Sequence, residues 1–120
     1  MKKEDFQETS PIDYPSALAR IGNDVSFLSE LLELYVMDFA EKQETLTSAI
    51  EHEDFKTIHE IGHSLKGASA NLSLPYLQKA SYELESAGRD RDLPKAREFQ
   101  AALRQEFTKL KDYISNGAGT

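Results

Sequence analysis

A stripe of apolar and small side chains between residues 54 and 73 constrains the fold of this 120-residue chain more than any other sequence feature. Its members recur at alternating spacings of three and four residues, the pattern of a helix that buries one narrow face. They are Phe55, Ile58, Gly62, Leu65, Ser69 and Leu72. Asp54, directly before the stripe, is a favourable N-cap residue. The segment therefore predicts an amphipathic helix of the kind that packs in a helical bundle.

Four further segments have helical periodicity, and no segment shows the alternation typical of a β-strand. Their expected ranges are 15–20, 24–51, 75–88 and 92–115. Residues near the predicted starts and ends support these boundaries. The candidate N-caps are Asp24, Asp54, Ser73 and Asp92, the helix-starting prolines are Pro15 and Pro75, and the helix-ending glycines are Gly22 and Gly88.

Four long helices with short connections pack most simply as an antiparallel up-down-up-down four-helix bundle, with the short N-terminal helix covering one end. We therefore expect an all-α fold. We expect a flexible N-terminal lead-in over residues 1–14, the bundle over residues 15–115 and a flexible tail over residues 116–120.

The acidic composition and the absence of cysteine exclude several classes of function. The chain has 21 acidic and 14 basic residues, and this net charge of −7 opposes binding to nucleic acid and to anionic membranes. Without cysteine it has no disulfide, thiolate metal site or cysteine nucleophile. Residues 1–10 lack the apolar core of a signal peptide and no apolar run is long enough to span a membrane, so we expect neither element. We expect a soluble, cytoplasmic protein, and a monomer because no second bundle seam is evident.

The first half of the helix after Asp24 has more apolar residues than one buried stripe requires. Two explanations are open: the short N-terminal helix covers the surplus, or part of it is a docking surface for another protein. The candidates for docking are Leu32, Tyr35, Val36 and Phe39, together with Ala70 on the next helix. For each of them, packing in the core is the alternative.

His63 is predicted to face solvent, because it lies about 130° from the centre of the buried stripe on its helix. Lys66 follows one turn later, and Gly67 removes side-chain bulk beside it at a cost of about 1 kcal/mol relative to Ala. A neutral, exposed imidazole can accept a phosphoryl group from an aspartyl phosphate of another protein. Lys66 would then lie near the phosphoryl oxygens, and Gly67 would leave space for the partner's backbone. These residues predict phosphoryl transfer through His63.

Three other interpretations of the same residues are open. His63 is an ordinary surface residue in the first, and the chain is a helical adaptor that docks a partner without chemistry in the second. The third is a zinc site, because residues 59–63 read H-E-I-G-H and Glu83 follows as a possible third ligand. A small bundle offers no cleft to align a substrate at such a zinc, so we assign no metal. His59 and Glu60, on adjacent faces of the turn before His63, are candidates for orienting its ring.

Around His63 the sequence resembles the histidine phosphotransfer domain family of phosphorelays. The family motif H-x-L-K-G-x-x-x-N-[LI]-G is matched by His63, Leu65, Lys66, Gly67, Asn71 and Leu72. Leu84-Glu85 match the L-E pair of the next helix, and the similarity extends over most of residues 16–114. Ser73 stands where the family usually has Gly.

The resemblance implies that His63 is phosphorylated by, and donates to, the aspartates of receiver domains, with a hybrid sensor kinase among the partners. It implies no cofactor of the chain's own, because the carboxylates of the receiver bring the Mg²⁺ that neutralises the transferring phosphoryl group. We expect a carrier without an ATP site and without autonomous kinase activity or turnover.

Overall fold

The structure is a computed structural model, and it describes residues 10–116 of the chain. Within this range it has five helices and no strand, which confirms the all-α prediction. They are α1 (Tyr14–Arg20), α2 (Val25–Glu51), α3 (Phe55–Asn71), α4 (Pro75–Arg89) and α5 (Leu93–Ser115). α2 contacts α3 and α5, and α4 contacts α3 and α5, so the four long helices share one core. None of these helices has the length and apolar composition needed to span a membrane.

Aspartate side chains cap four of the five helices at their N-termini. The carboxylates of Asp13, Asp24, Asp54 and Asp92 each accept a hydrogen bond from the backbone N–H three residues later. Each bond satisfies a donor that the helix start leaves without a partner. The prediction that Ser73 is the N-cap of α4 is wrong. Leu74 occupies the N-cap position of α4 and makes no side-chain hydrogen bond there.

The three connections between the long helices have the same backbone conformation. Each contains one residue with positive φ, namely Glu53 (51°), Ser73 (56°) and Arg91 (56°). In each connection the N–H of the following residue donates to the carbonyl oxygen five residues earlier, at 2.8–2.9 Å. This is the long hydrogen bond of a Schellman motif, which satisfies the end of a helix. Ser73 therefore adopts the left-handed conformation for which the family pattern has Gly.

Helices α3 and α4 touch backbone to backbone at two glycines. A Cβ added to Gly62 would lie 2.7 Å from Glu85 Cα, and a Cβ added to Gly88 would lie 2.7 Å from His59 Cα. Real Cβ atoms do not approach a neighbouring backbone so closely, so only Gly permits this helix spacing. Gly88, which we expected as a helix-ending residue, lies within α4 and serves this close packing.

The folded region begins earlier than the predicted boundary at residue 15. Ile12 is 1% exposed and Tyr14 is also buried in the core. The backbone N–H of Asp13 donates to the carbonyl oxygen of Ser73 at 2.8 Å. Assigning residues 12–14 to a flexible lead-in is therefore wrong, because burial of these apolar side chains fixes the segment on the bundle. Residues 1–9 and 117–120 of the two predicted flexible ends lie outside the described residues.

Candidate functional site

A carboxylate from α4 holds the side chain of His63 on α3. Glu85 Oε2 lies 2.7 Å from His63 Nδ1, and Glu85 Oε1 lies 2.7 Å from Lys66 Nζ. The side chain of His63 is 69% exposed, whereas that of Glu85 is 12% exposed. The imidazole therefore projects from the surface while one of its edges is fixed, and the edge that bears Nε2 is the one Glu85 does not hold.

The charge of Glu85 decides which nitrogen of His63 carries the proton. The Lys66 ammonium is the main cause that lowers the pKa of Glu85 below its ordinary value; burial opposes this, and the hydrogen bond with His63 adds to it. Glu85 is therefore ionised at neutral pH and can only accept hydrogen bonds. His63 must donate through Nδ1–H, which leaves Nε2 of the neutral ring with a free lone pair. Such a nitrogen is a nucleophile.

Glu85 is the site residue that sequence reasoning missed. Its match to the family's L-E pair relates it to the family but predicts no contact with His63. The available signal was its position next to Leu84, a residue of the buried stripe of α4, which places an acidic side chain at the edge of the interface with α3.

Lys66 and Gly67 lie on the predicted face beside His63. The Lys66 Nζ atom is held between the Glu85 carboxylate and the ring of Tyr82, whose centroid is 5.8 Å away. Apart from its chain neighbours and the backbone of its own helix, a Cβ added to Gly67 would meet no atom within 4 Å, so the surface there is open. Unlike Gly62, Gly67 is thus not required by packing inside the domain.

Of the two residues predicted to orient His63, the structure brings only His59 to the site. The rings of His59 and His63 are nearly parallel, with an interplanar angle of 10° and centroids 6.4 Å apart. His59 Nε2 lies 3.9 Å from Glu85 Oε2. The Glu60 side chain is exposed and makes no hydrogen bond or ion pair with any part of the chain that the structure describes. The carboxylate at the ring is that of Glu85 because α4, rather than the preceding turn of α3, faces Nδ1.

The zinc interpretation lacks its third ligand. The Glu83 carboxylate lies 3.4 Å from the Lys95 ammonium, so it pairs with α5 rather than approaching His59 and His63. Between residues 10 and 116, no three His, Asp or Glu side chains are grouped so that they could hold a metal ion. Glu83 therefore does not complete a zinc site with the two histidines of the H-E-x-x-H sequence on α3.

Three of the five candidate docking residues belong to the core. Leu32, Tyr35 and Phe39 are 5%, 4% and 1% exposed. The Tyr35 hydroxyl lies 2.7 Å from Ser69 Oγ, and the Phe39 ring stacks on Phe107 with centroids 4.0 Å apart. Their assignment to a docking surface is therefore wrong, because each is buried in the core.

The surplus apolar surface of α2 lies on other residues. Leu34 is 60% exposed, Met37 is 66% exposed and Phe27 is 44% exposed. Val36 and Ala70 are partly exposed, so among the predicted docking residues only these two are accessible to a partner. The short helix α1 contacts α2 but leaves this apolar surface uncovered.

Comparison with known proteins relates the chain to one family. The sequence profile of the family described as "Hpt domain" matches residues 30–113, which is more than half of the chain and includes all of α3 and α4. The structure is similar to the crystal structure of the HPT domain from the Hpt sensor hybrid histidine kinase from Shewanella. The TM-score is 0.71, with 23% sequence identity, over 88% of this chain and 95% of that one. A comparison with curated proteins found no match. The chain belongs to the Hpt family of histidine phosphotransfer domains, which act in phosphorelays.

Proposed function

We propose that this chain is a phosphorelay intermediate in which His63 Nε2 accepts a phosphoryl group from the aspartyl phosphate of one receiver domain and passes it to the aspartate of another. The observation that carries this proposal is the 2.7 Å contact between His63 Nδ1 and Glu85 on an exposed imidazole. It supplies what a phosphoryl acceptor needs, namely a nucleophilic nitrogen directed outward and a ring that is fixed in place.

The transfer step is balanced by the residues of this site. The lone pair of His63 Nε2 attacks phosphorus, a P–N bond forms as the P–O bond to the aspartate breaks, and the aspartate leaves as a carboxylate. No proton has to leave the ring, because Nε2 carried none. The ring gains a positive charge while Nδ1–H remains hydrogen-bonded to Glu85, whose negative charge stabilises the product. The reverse sequence transfers the group to the next aspartate.

Lys66 and Gly67 support this step in different ways. Lys66, one turn from His63, places an ammonium where the phosphoryl oxygens develop charge. Gly67 leaves an open surface over which the backbone of the receiver approaches. The receiver's own carboxylates bring the Mg²⁺ ion, so we assign neither a metal nor a cofactor to this chain. We also assign it no ATP site and no turnover of its own.

The scaffold that we propose for the carrier is an antiparallel up-down-up-down bundle of α2 to α5, with α1 covering one end. The short connections and the contacts of each long helix with two others support this arrangement. We propose that the domain acts as a cytoplasmic monomer that exchanges phosphate with receiver domains and, through them, with a hybrid sensor kinase. His59, which contacts the same carboxylate as His63, would help to hold the site.

The first experiment compares wild type with His63→Gln and, as the matched control, with His52→Gln, which changes an exposed histidine whose ring lies 2.8 Å from the Ser48 carbonyl oxygen. Each protein is incubated with a phosphorylated receiver domain and separately with phosphoramidate. The adduct is measured by mass spectrometry under non-acidic conditions as an acid-labile, alkali-stable phosphate. We expect labelling of wild type and of His52→Gln but not of His63→Gln. Labelling that persists in His63→Gln would overturn the assignment, and a receiver that binds without labelling wild type would favour the adaptor interpretation.

A second experiment tests Glu85 as a positioning residue. In ¹⁵N NMR spectra of the imidazole at neutral pH, we expect wild-type His63 to carry its proton on Nδ1. Glu85→Ala should give a mixture of tautomers and slow labelling by phosphoramidate on the order of tenfold or more, as expected when a carboxylate no longer orients a histidine. An unchanged tautomer in Glu85→Ala would contradict this role, even if labelling slowed because of lost stability.

A further inference from the structure

We infer that a basic recess beside the His63 site binds carboxylate groups on the surface of the receiver domain. The inference rests on the phosphorelay function proposed above. The recess has a volume of about 340 Å³ and lies between the start of α3 and the end of α4. It is lined by Phe55, Lys56, His59, Gly88, Arg89 and Arg91.

The need for such a surface follows from the charge of the two proteins. The chain has a net charge of −7. Its substrate is an aspartyl phosphate in a site whose carboxylates bind Mg²⁺, so the partner surface around the reacting atoms is also negative. Two surfaces of the same sign repel during diffusional encounter and slow their association. A local positive region next to the nucleophile would reverse this repulsion where the two proteins meet.

The cations of the recess are available to a partner. Lys56 and Arg91 are exposed, and neither has an ion-pair partner within 4.0 Å among residues 10–116. The Arg91 guanidinium lies over the Phe55 ring, 4.9 Å from its centroid, which keeps the charge at the mouth of the recess. Arg89 is paired with the exposed Asp90 at 3.1 Å. Within residues 10–116, the recess thus has two cationic side chains without an ion-pair partner, and the partner of the third, Arg89, is the exposed Asp90.

The acidic side chains that precede α3 and α5 do not cancel this charge by direct pairing. The Asp54 carboxylate accepts hydrogen bonds from the hydroxyl and the backbone N–H of Thr57, which are the main causes that lower its pKa, and Lys56 adds to that effect from a distance. Asp92 likewise caps the N-terminus of α5. Both carboxylates therefore face the helix ends that they cap.

The position of the recess matches a receiver that is docked over His63. His59 lines the recess, and its ring is also stacked beside that of His63. The two histidines are four residues apart on α3, which corresponds to about 6 Å of helix rise. Gly88 has no side chain, so the floor of the recess is the close contact of the α3 and α4 backbones. A domain large enough to enclose His63 would therefore extend over the recess on a rigid surface.

The test is a charge reversal with a matched control. Lys56→Glu/Arg91→Glu changes the recess, and Lys79→Glu/Arg97→Glu makes the same change in net charge at exposed positions of α4 and α5 that do not line it. The second-order rate constant of phosphoryl transfer is measured with a receiver domain to which wild type transfers phosphate, at low and at high salt. Labelling by phosphoramidate, which needs no docking, checks that fold and nucleophile are intact.

We expect the recess variant to transfer at least about tenfold more slowly than wild type at low salt, with a smaller difference at high salt. The control variant should change far less, and all three proteins should be labelled equally by phosphoramidate. Equal slowing of both variants, or no slowing of either, would overturn the inference and leave the proposed function intact. Binding of inorganic phosphate to the recess without an effect on transfer would also overturn it. Failure of both donors to label wild type would overturn the proposed function and this inference together.

Discussion

Gly62 on α3 packs directly against the backbone of Glu85 on α4, where a Cβ at residue 62 would lie 2.7 Å from Glu85 Cα. Gly62 precedes His63 in sequence, and Glu85 is the residue whose carboxylate reaches His63 Nδ1 at 2.7 Å. The contact that brings the two helices together therefore also sets the distance between the imidazole and its carboxylate. The interface between α3 and α4 thus holds both a close backbone contact of the fold and the hydrogen bond that orients His63.

Gly62→Ala should destabilise the domain and loosen the site. The added methyl group meets backbone atoms, which cannot move aside without separating α3 from α4, and overpacking of this kind costs roughly 1–3 kcal/mol. Urea unfolding measures the loss, and the ¹⁵N spectrum of the His63 imidazole reports whether Nδ1 still donates to Glu85. An Ala variant that unfolds at the same urea concentration as wild type would show that the helices are not held by this contact.

The parts of the fold that depend on local sequence could be predicted. The stripe on α3 and the aspartate caps at Asp24, Asp54 and Asp92 are properties of short segments, and the structure confirms them. The pairing of His63 with Glu85 could not be predicted in this way, because it spans 22 residues and depends on the register of α3 against α4. A helical pattern gives the face of a helix but not the residue opposite it.

The predicted docking residues on α2 show a second limit of prediction from the sequence. That helix has apolar residues on more than one face, and periodicity alone does not say which face is buried. The structure places Tyr35 and Phe39 inside and Leu34 and Met37 outside. A third limit is the backbone of the connections, where Ser73 takes a positive φ that its residue type does not favour.

Ser73→Gly should stabilise the domain by about 1 kcal/mol. Ser73 has a φ of 56°, a conformation that is strained for a residue with a Cβ but free for Gly, and its carbonyl bond to Asp13 needs no side chain. The greater freedom of Gly in the unfolded chain offsets part of the gain. Thermal or urea unfolding measures the effect. Ser29→Gly at an exposed position within α2 is the control, and it should lose roughly 0.5 kcal/mol. A loss of stability in both variants would contradict the argument.

Gly67→Ala should raise the stability of the domain but slow phosphoryl transfer from a receiver domain. A Cβ at residue 67 meets no atom within 4 Å beyond its chain neighbours and its own helix backbone, so the variant should gain about 1 kcal/mol from helix propensity. It should nevertheless receive phosphate from a receiver domain more slowly, because the methyl group occupies the surface beside His63. Labelling by phosphoramidate should stay at the wild-type rate. Unchanged transfer from the receiver would show that Gly67 provides no clearance for the partner.

Tyr35→Phe should lower stability without affecting transfer by the folded protein. The change removes the hydroxyl that bonds Ser69 in the core, and Ser69 then has an unsatisfied buried oxygen at a cost of about 1–3 kcal/mol. Adding Ser69→Ala removes the orphaned group, so the double variant should recover part of the loss. Slower transfer by Tyr35→Phe with unchanged urea unfolding would show that Tyr35 takes part in docking the receiver.

The stability contributed by Glu85 should depend on pH. The pKa of Glu85 is lower in the folded protein than its ordinary value of 4.5, first because Lys66 bonds the carboxylate and also because His63 does. An acid with a depressed folded-state pKa stabilises the fold above the unfolded-state value and loses that contribution as the pH falls through the folded-state value. The free-energy difference between wild type and Glu85→Gln should therefore be full at neutral pH and shrink below about pH 4.5.

Urea unfolding of both proteins between neutral pH and the acid range measures this difference. Lys66→Met supplies the control, because it removes the main cause of the shift while keeping an unbranched side chain at the surface. In the Lys66→Met background, Glu85→Gln should cost less at neutral pH and show a weaker dependence on pH. A difference between wild type and Glu85→Gln that is the same at neutral and acid pH would mean that the Lys66–Glu85–His63 contacts stabilise the fold through packing rather than through the charge of the carboxylate.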